Sequence, residues 1–306
     1  MIICASRRTD IPAFHSKWLM KRLREGYVLV RNPIAKDVVY KIDLSSRKVG
    51  CIYLMTKDPN PMVQFLDEIK DMGHRVIFQV TMNPYGRDVE PNVPDIVDVT
   101  DAFKEISCKI GKDHMIWRYD PVLFGGRYDS SYHERKFNLL CKELSGYTER
   151  CIFGFLDEYD KFEGSAIASS LKTPSDTQRR EFMGMAGKTA NEFGIKLSLC
   201  CSPQKDPGYG IDSRGCIDRE TLISLDIPFD DVPGNIREGC RCVKNIDIGA
   251  YDSCMHDCVY CYANRMSPDK RSNRSYDTDS EMLYGSLRET DVIKELTDKR
   301  SRITDF

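Results

Sequence analysis

The sequence lacks the features that direct a protein to a membrane or to secretion. No run of about 18 apolar residues occurs among its 306 residues, so no transmembrane helix is predicted. The first ten residues, MIICASRRTD, lack a basic leader followed by an apolar stretch, so no signal peptide is predicted. From these absences we expect a cytoplasmic protein that does not contact membranes.

Several common catalytic signatures are absent as well. The 5 histidines show no HxxxH or HExxH spacing, which gives no support to a histidine-rich zinc hydrolase. No Walker loop and no GxGxxG follows a predicted strand, which argues against phosphoryl transfer from nucleotides and against a dinucleotide fold. The 45 basic side chains are balanced by 47 acidic ones, so no global field favours nucleic acid as a partner.

Cysteine, in contrast, is abundant. The chain has 13 cysteines, and a reducing compartment disfavours disulfides, so clustered thiols indicate metal or redox chemistry. Five of the 13 fall between residues 240 and 261. Isolated cysteines in apolar settings are predicted to be small buried hydrophobic residues. These are Cys51, Cys108, Cys141 and Cys151.

The apolar pattern predicts an α/β fold. Short β-rich runs alternate with longer amphipathic stretches, as in βα units around a parallel sheet. Six such units are too few for the eight-stranded barrel, so we predict a partial (β/α)6 TIM-like barrel over residues 1–200. The predicted strands span residues 2–5, 51–55, 76–80, 115–117, 151–155 and 195–199.

Two regions depart from this alternation. Residues 27–30 and 38–42, separated by Asn32-Pro33, predict an inserted hairpin. After residue 200 the pattern breaks into Gly, Pro, Cys and Asp. We therefore predict that residues 201–306 form a cysteine-rich extension folded over the barrel mouth, with a C-terminal helix near 286–299.

Basic side chains follow three predicted strands. Arg8, Lys57 and Arg118 stand where the loops of a βα fold converge, and they could clamp a carboxylate or phosphate. Arg8 and Arg118, with Asp120, are the candidate catalytic residues. An internal Arg118–Asp120 ion pair that only supports the scaffold is the alternative for that pair.

Uncharged and acidic side chains follow the strands too. Gln79, Asn83, Asp120 and Asp157 could bind an amine, a ribose or an adenine edge. Together with Lys57 they predict a cofactor site at the carboxyl ends of the strands.

The late segment Cys254-Met-His-Asp-Cys258-Val-Tyr-Cys261 carries the clearest chemical signal. Three thiolates at this spacing can hold three corners of a 4Fe–4S cluster and leave the fourth iron open for chemistry. Tyr260, directly before the last cysteine, is placed to shield such a cluster. The competing interpretation is a zinc ribbon, whose ligands would be Cys240, Cys242, Cys258 and Cys261. That alternative leaves Cys254 unused, and we favour the cluster.

The remaining thiols suggest a second metal centre. Cys201, Cys216, Cys240 and Cys242 could supply four thiolates to a closed cluster or a zinc ion, with buried or surface thiols as the alternative. Cys200 competes with Cys201, because neighbouring side chains of a strand point in opposite directions.

The segment CMHDCVYC resembles the CxxxCxxC signature of radical S-adenosylmethionine enzymes, in which an aromatic residue precedes the last cysteine. Those enzymes normally carry the loop after the first strand, whereas this chain carries it near the C-terminus. SRRTDIPAF, LVRNP, WRYDP and DIGAYDSCMHDCVYCYAN together resemble the domain of unknown function 1848 family, which is noted for such a C-terminal cluster.

The resemblance implies a 4Fe–4S cluster, or two, and S-adenosylmethionine bound to the open iron. Reductive cleavage of that cofactor would generate a radical on a small-molecule or peptide substrate. An external one-electron reductant such as flavodoxin or ferredoxin would be the partner. An iron–sulfur electron carrier or sensor is one alternative, and a hydrolase or lyase with a structural zinc clip is another.

Overall fold

The computed structural model describes residues 1–156, 171–201, 206, 208–234, 239–272 and 276–296. Its centre is a parallel sheet of seven strands, in the order β8-β7-β6-β5-β4-β1-β9 with strands numbered along the chain. The strands are β1 (Ile2–Ala5), β4 (Cys51–Thr56), β5 (Val76–Thr81), β6 (Met115–Val122), β7 (Arg150–Phe155), β8 (Lys196–Leu199) and β9 (Ile246–Asp247).

All six predicted strands are present in this sheet, and their parallel pairing confirms the α/β fold. The sheet is not closed: β8 and β9 are its edges within the described residues. The seventh strand, β9, was not predicted. It pairs with β1 through Ile3 and Cys4 and so brings the chain that follows it to the carboxyl end of β1.

Nine helices accompany the strands in the described residues. Asp129 caps one of the longer helices by accepting a hydrogen bond from the Tyr132 amide, and Ser175 with Gln178 forms a capping box at another. The helices are α1 (Ile11–Phe14), α2 (Ser16–Glu25), α3 (Asn60–Val63), α4 (Leu66–Asp71), α5 (Ile96–Ile110), α6 (Ser130–Leu144), α7 (Asp176–Glu192), α8 (Arg219–Ser224) and α9 (Pro268–Ser272). Among the described residues, no helix combines the length and apolar character that a membrane crossing requires.

The two faces of the sheet are covered differently. One face packs against the long helices, where Trp117 stacks on Phe137 of α6. The other face, represented by Ile77 and Ile152, packs against residues 216–229 and 240–243. Because both faces are buried, the strands are nearly continuous apolar runs. The cysteine-rich extension therefore lies against the sheet itself.

A second, small sheet contains the predicted hairpin. Strands β2 (Tyr27–Arg31) and β3 (Val38–Asp43) pair antiparallel, and β10 (Val292–Glu295) adds to the free edge of β3 in parallel register. The prediction of a helix near 286–299 is therefore wrong over β10. The Val292-Ile293 pair suits a strand, and hydrogen bonding to the edge of β3 outweighs local helix propensity.

Candidate functional site

The three cysteines of the late segment, here called the thiol triplet (Cys254, Cys258 and Cys261), lie in a loop that follows β9. The Cys261 amide donates a hydrogen bond to the Cys258 carbonyl at 3.1 Å, which closes the loop between these two thiols. Burial raises the pKa of Cys254 and of Cys258, and the Cys261 thiol raises the pKa of both further. The three thiols thus share one electrostatic environment.

A polar group beside the thiol triplet joins β4, β5 and the cysteine loop. Glu90, which is 2% exposed, accepts a hydrogen bond from the Tyr260 hydroxyl and forms an ion pair of 2.8 Å with Lys57. The Asn83 side-chain amide donates to the Tyr260 hydroxyl at 3.3 Å. Burial opposes the charge on Lys57, yet Glu90 and the Cys258 thiol raise the pKa of its ammonium. The predicted residues Lys57, Asn83 and Tyr260 are therefore brought together.

Asp10 holds the loop against the end of β1. One of its carboxylate oxygens caps α1 by accepting from the Ala13 amide at 3.0 Å. The other accepts from the Lys57 backbone amide at 2.7 Å and lies 2.9 Å from His256 Nε2. His256 is buried and packs on the Phe14 ring. One carboxylate thereby connects β1, β4 and the cysteine loop.

Arg8 lies at the same end of β1 and is engaged with β9. Its guanidinium donates to the Asp247 carboxylate at 3.1 Å and to the Asp247 carbonyl at 2.6 Å, and both residues are buried. The Ser6 hydroxyl and the Gly249 amide also donate to this carboxylate. Arg8 thus anchors the strand that precedes the thiol triplet, and its catalytic role stays a prediction.

A second set of cysteines, here called the five-thiol group, covers the face of the sheet opposite the long helices. Its members are Cys200, Cys201, Cys216, Cys240 and Cys242. The Cys200 and Cys216 sulfurs are 3.1 Å apart. Side-chain contacts that shift the pKa of the thiols run from Cys200 through Cys201, Cys240 and Cys242 to Cys216 and close a ring.

The expectation that Cys200 and Cys201 compete is wrong. Cys201 has a left-handed backbone, with φ of 45°, and this kink interrupts the alternation of side chains at the end of β8. Both neighbouring thiols therefore join the ring, and Cys200 is a member that the sequence did not predict.

Three predicted site residues lie at the five-thiol group. The Arg118 guanidinium donates to the Cys216 sulfur at 3.1 Å and forms the ion pair with Asp120 that the sequence offered as an alternative. The Gln79 side-chain amide donates to the Cys216 carbonyl, and its oxygen accepts from Arg118 at 3.3 Å. The candidate strand-end residues therefore divide between two thiol groups.

The two groups differ from the zinc ribbon that was the alternative to the cluster. The Cys240 and Cys242 thiols belong to the five-thiol group. In the described part of the chain, no three His, Cys, Asp or Glu side chains are arranged to hold a single metal ion. A cubane cluster does not need that convergence, because each thiolate binds a different iron. The donor chemistry of the thiol triplet therefore fits a 4Fe–4S cluster.

Sequence reasoning missed four residues of these networks besides Cys200. Glu90 lies in an irregular loop, and nothing in its local pattern distinguishes it. Asp10, His256 and Asp247 lie inside the segments that resemble the family, and this position was the sequence feature that could have identified them. Asp157, predicted to bind the cofactor, lies outside the described residues.

Comparison with known families gives one match. A family model described as Domain of unknown function (DUF1848) matches residues 2–263, which is most of the chain. No curated protein matches it.

Proposed function

The chain belongs to the DUF1848 family, and from this membership and its thiol triplet we propose that it is a radical S-adenosylmethionine enzyme. Cys254, Cys258 and Cys261 would bind three irons of a 4Fe–4S cluster and leave the fourth for the amine and carboxylate of S-adenosylmethionine. The supporting observation is the place of the triplet, at the carboxyl ends of β1 and β4 beside a buried Lys57–Glu90 pair. When bound, the cluster supplies the electron that cleaves the cofactor reductively and yields a radical on the substrate.

The partial (β/α)6 barrel is the finer form of the fold that we propose. Strands β1, β4, β5, β6, β7 and β8 are neighbours in chain order and all pair in parallel, as six consecutive βα units require. In that arrangement the loops that leave the strands share one end of the sheet, and the thiol triplet lies there.

The charged groups beside the triplet suit a cationic cofactor. Glu90 and Asp10 place two carboxylates near Cys258 and Cys254, where they favour ammonium and sulfonium charge. Lys57 offers a cation for the carboxylate of an amino acid. Hydrogen bonds to Glu90 hold the Asn83 and Tyr260 side chains in place. These two side chains would then orient the bound cofactor.

An apolar cluster excludes water from the same loop. Val259 and Tyr260, which separate Cys258 from Cys261, pack against the apolar cluster that contains Leu123 and Leu156. The Val259 amide donates to the Val89 carbonyl at 3.0 Å and fixes the loop to this cluster. A radical reaction needs such shielding, because stray hydrogen donors would quench it. The role of Arg118 and Asp120 in orienting a small-molecule or peptide substrate stays a prediction, because both side chains lie at the five-thiol group.

Anaerobic purification tests this proposal. We expect a brown protein with iron and sulfide that converts S-adenosylmethionine under reduction to 5′-deoxyadenosine, with flavodoxin or ferredoxin as the electron donor. Methylthioadenosine as the product would instead indicate cleavage of a different C–S bond. Cys258→Ala should abolish turnover. Cys108→Ala should keep it, because Cys108 lies outside both groups and is exposed; the prediction that it is buried is wrong.

Two results would contradict the radical enzyme. A colourless wild type with one zinc per chain would indicate the structural clip of a hydrolase or lyase. An iron–sulfur protein that never turns over S-adenosylmethionine would indicate an electron carrier or sensor.

A further inference from the structure

The five-thiol group is assembled from three separate segments of the chain. Cys200 and Cys201 follow β8 directly, Cys216 lies on the chain that leads to α8, and Cys240 and Cys242 come from the chain before β9. These segments pack on the apolar face of the sheet, against Ile77 of β5 and Ile152 of β7. Long-range packing has therefore placed all five thiols in one ring, and an accidental pair of cysteines would not produce this.

The backbone around the ring is shaped for close approach. A side chain at Gly215 would meet the Arg241 carbonyl carbon and the Cys242 nitrogen at 2.6 Å. Only glycine, which has no side chain, allows the backbone at position 215 to lie so close to the Arg241 backbone. The five thiols and Gly215 line one solvent-open cavity of about 10 Å³, which is room for a single water molecule. The ring can thus be reached from outside, and a bound cluster would spread the five thiols apart.

The chemistry of the ring selects a soft metal centre. Thiolates favour zinc, copper(I) and iron–sulfur clusters over hard cations. Arg118, buried beneath the ring, donates to the Cys216 sulfur and supplies a positive charge to an anionic ligand. Hydrogen bonds to sulfur are a main determinant of the reduction potential of iron–sulfur clusters. We propose that the five-thiol group binds a second 4Fe–4S cluster, ligated entirely by cysteine.

A polar connection joins this second centre to the thiol triplet. Arg118, bonded to Cys216, pairs with Asp120, whose carbonyl accepts from the Asn83 side chain at 2.9 Å. Asn83 bonds in turn to Tyr260 in the cysteine loop. The second cluster would accept one electron from an external carrier and pass it to the triplet cluster, which is reduced by that electron. This relay rests on the proposed function, whereas the second cluster does not.

The test removes the first centre and measures the second. In the Cys254→Ser/Cys258→Ser/Cys261→Ser variant, purified anaerobically, we expect about four irons and four sulfides per chain and a reducible cluster signal in electron paramagnetic resonance. Cys216→Ser/Cys242→Ser should lose this signal and keep the triplet iron, while Cys108→Ser should keep both centres. Circular dichroism checks that each variant is folded.

A folded triple variant without iron and sulfide, or with a single zinc, would overturn the second cluster. Neither measurement uses S-adenosylmethionine, so failure of the radical chemistry leaves this result unaffected. Arg118→Gln in the triple variant should lower the midpoint potential of the remaining cluster, because a positive charge and a hydrogen bond to sulfur are lost. An unchanged potential would contradict the place of Arg118 beside that cluster.

Discussion

The thiol triplet and the five-thiol group reach their geometry by different routes. The triplet comes from eight consecutive residues, and spacing alone brings its thiols together. The five-thiol group spans residues 200–242 and depends on a left-handed Cys201, on Gly215 and on packing against the sheet. A local motif is visible in sequence, whereas a site built from distant segments exists only after folding.

The charges around the two groups differ as well. Burial and nearby carboxylates raise the pKa of two of the triplet thiols, with Asp10 acting on Cys254 and Glu90 on Cys258, although Lys57 opposes this at Cys258. Hydrogen bonds from Cys200 and Cys242, with the Arg118 guanidinium, hold the pKa of Cys216 well below its ordinary value. The triplet therefore gains most from a cationic ligand, whereas the five-thiol group already has a cation of its own.

The largest expected effect comes from the ion pair that supports the five-thiol group. Arg150 and Asp218 pair with side chains 7% and 2% exposed, and Arg150 also donates to the Gly215 carbonyl at 2.7 Å. Arg150→Met should lower the free energy of unfolding by about 3–5 kcal/mol, because a buried carboxylate loses its partner. Urea unfolding measures this.

A matched surface pair provides the control. Arg219 and Asp231 pair with side chains 58% and 53% exposed. Arg219→Met should cost about 0–1 kcal/mol, since water screens that pair. Equal losses in the two variants would contradict a special role for Arg150.

The same contrast sets the limit of sequence-based prediction. The six long strands were predictable because each is a buried apolar run, and the triplet was predictable from its spacing. The two-residue strand β9 was not, because β1, the strand with which it pairs, lies more than two hundred residues away in the sequence. Cys200 was set aside by the rule of alternation, which the kink at Cys201 breaks. Glu90 acquires meaning only when Lys57 and Tyr260 meet it.

Asp247 tests the anchor of the triplet. Burial opposes its charge, but Arg8 and Arg7 hold the pKa of its carboxyl below the ordinary value. Its stabilising effect is therefore complete above the unfolded pKa, about 4, and is lost as pH falls through the lower folded pKa. Asp247→Asn should cost about 1.5–3 kcal/mol at pH 7, since hydrogen bonds to a charged group weaken.

The dependence of this stability difference on pH tests the role of the Asp247 charge. Urea unfolding between pH 7 and pH 3, on proteins of equal metal content, should show the difference between wild type and variant shrinking below about pH 4. A difference that does not change with pH would contradict the ion pair with Arg8.

Gly215→Ala tests the difference between the two thiol groups without replacing a cysteine. The added methyl group would push Cys216 away from Cys242, at a cost of about 1–3 kcal/mol. Iron analysis should show loss from the five-thiol group and retention in the triplet. Gly184→Ala, whose methyl group meets only the Tyr209 side chain at 3.3 Å, should retain both. Full iron retention in Gly215→Ala would show that close approach at this glycine is not needed for metal binding.

Tyr260→Phe should have the smallest effect, about 0.5–1.5 kcal/mol, because the ring stays and only the hydroxyl bonded to Glu90 and Asn83 is lost. We expect unchanged iron content, since the ring still packs against the apolar cluster that contains Leu123 and Leu156. Cleavage of S-adenosylmethionine should be roughly tenfold slower, since Glu90, Asn83 and the Cys258 thiol lose their contact with the hydroxyl. Tyr262→Phe removes a hydroxyl that bonds the Arg7 carbonyl at the exposed side of the loop, and it should leave the cleavage rate near that of wild type. Loss of iron in Tyr260→Phe would mean that the hydroxyl holds the cysteine loop itself, and the triplet would then depend on distant contacts as much as the five-thiol group does.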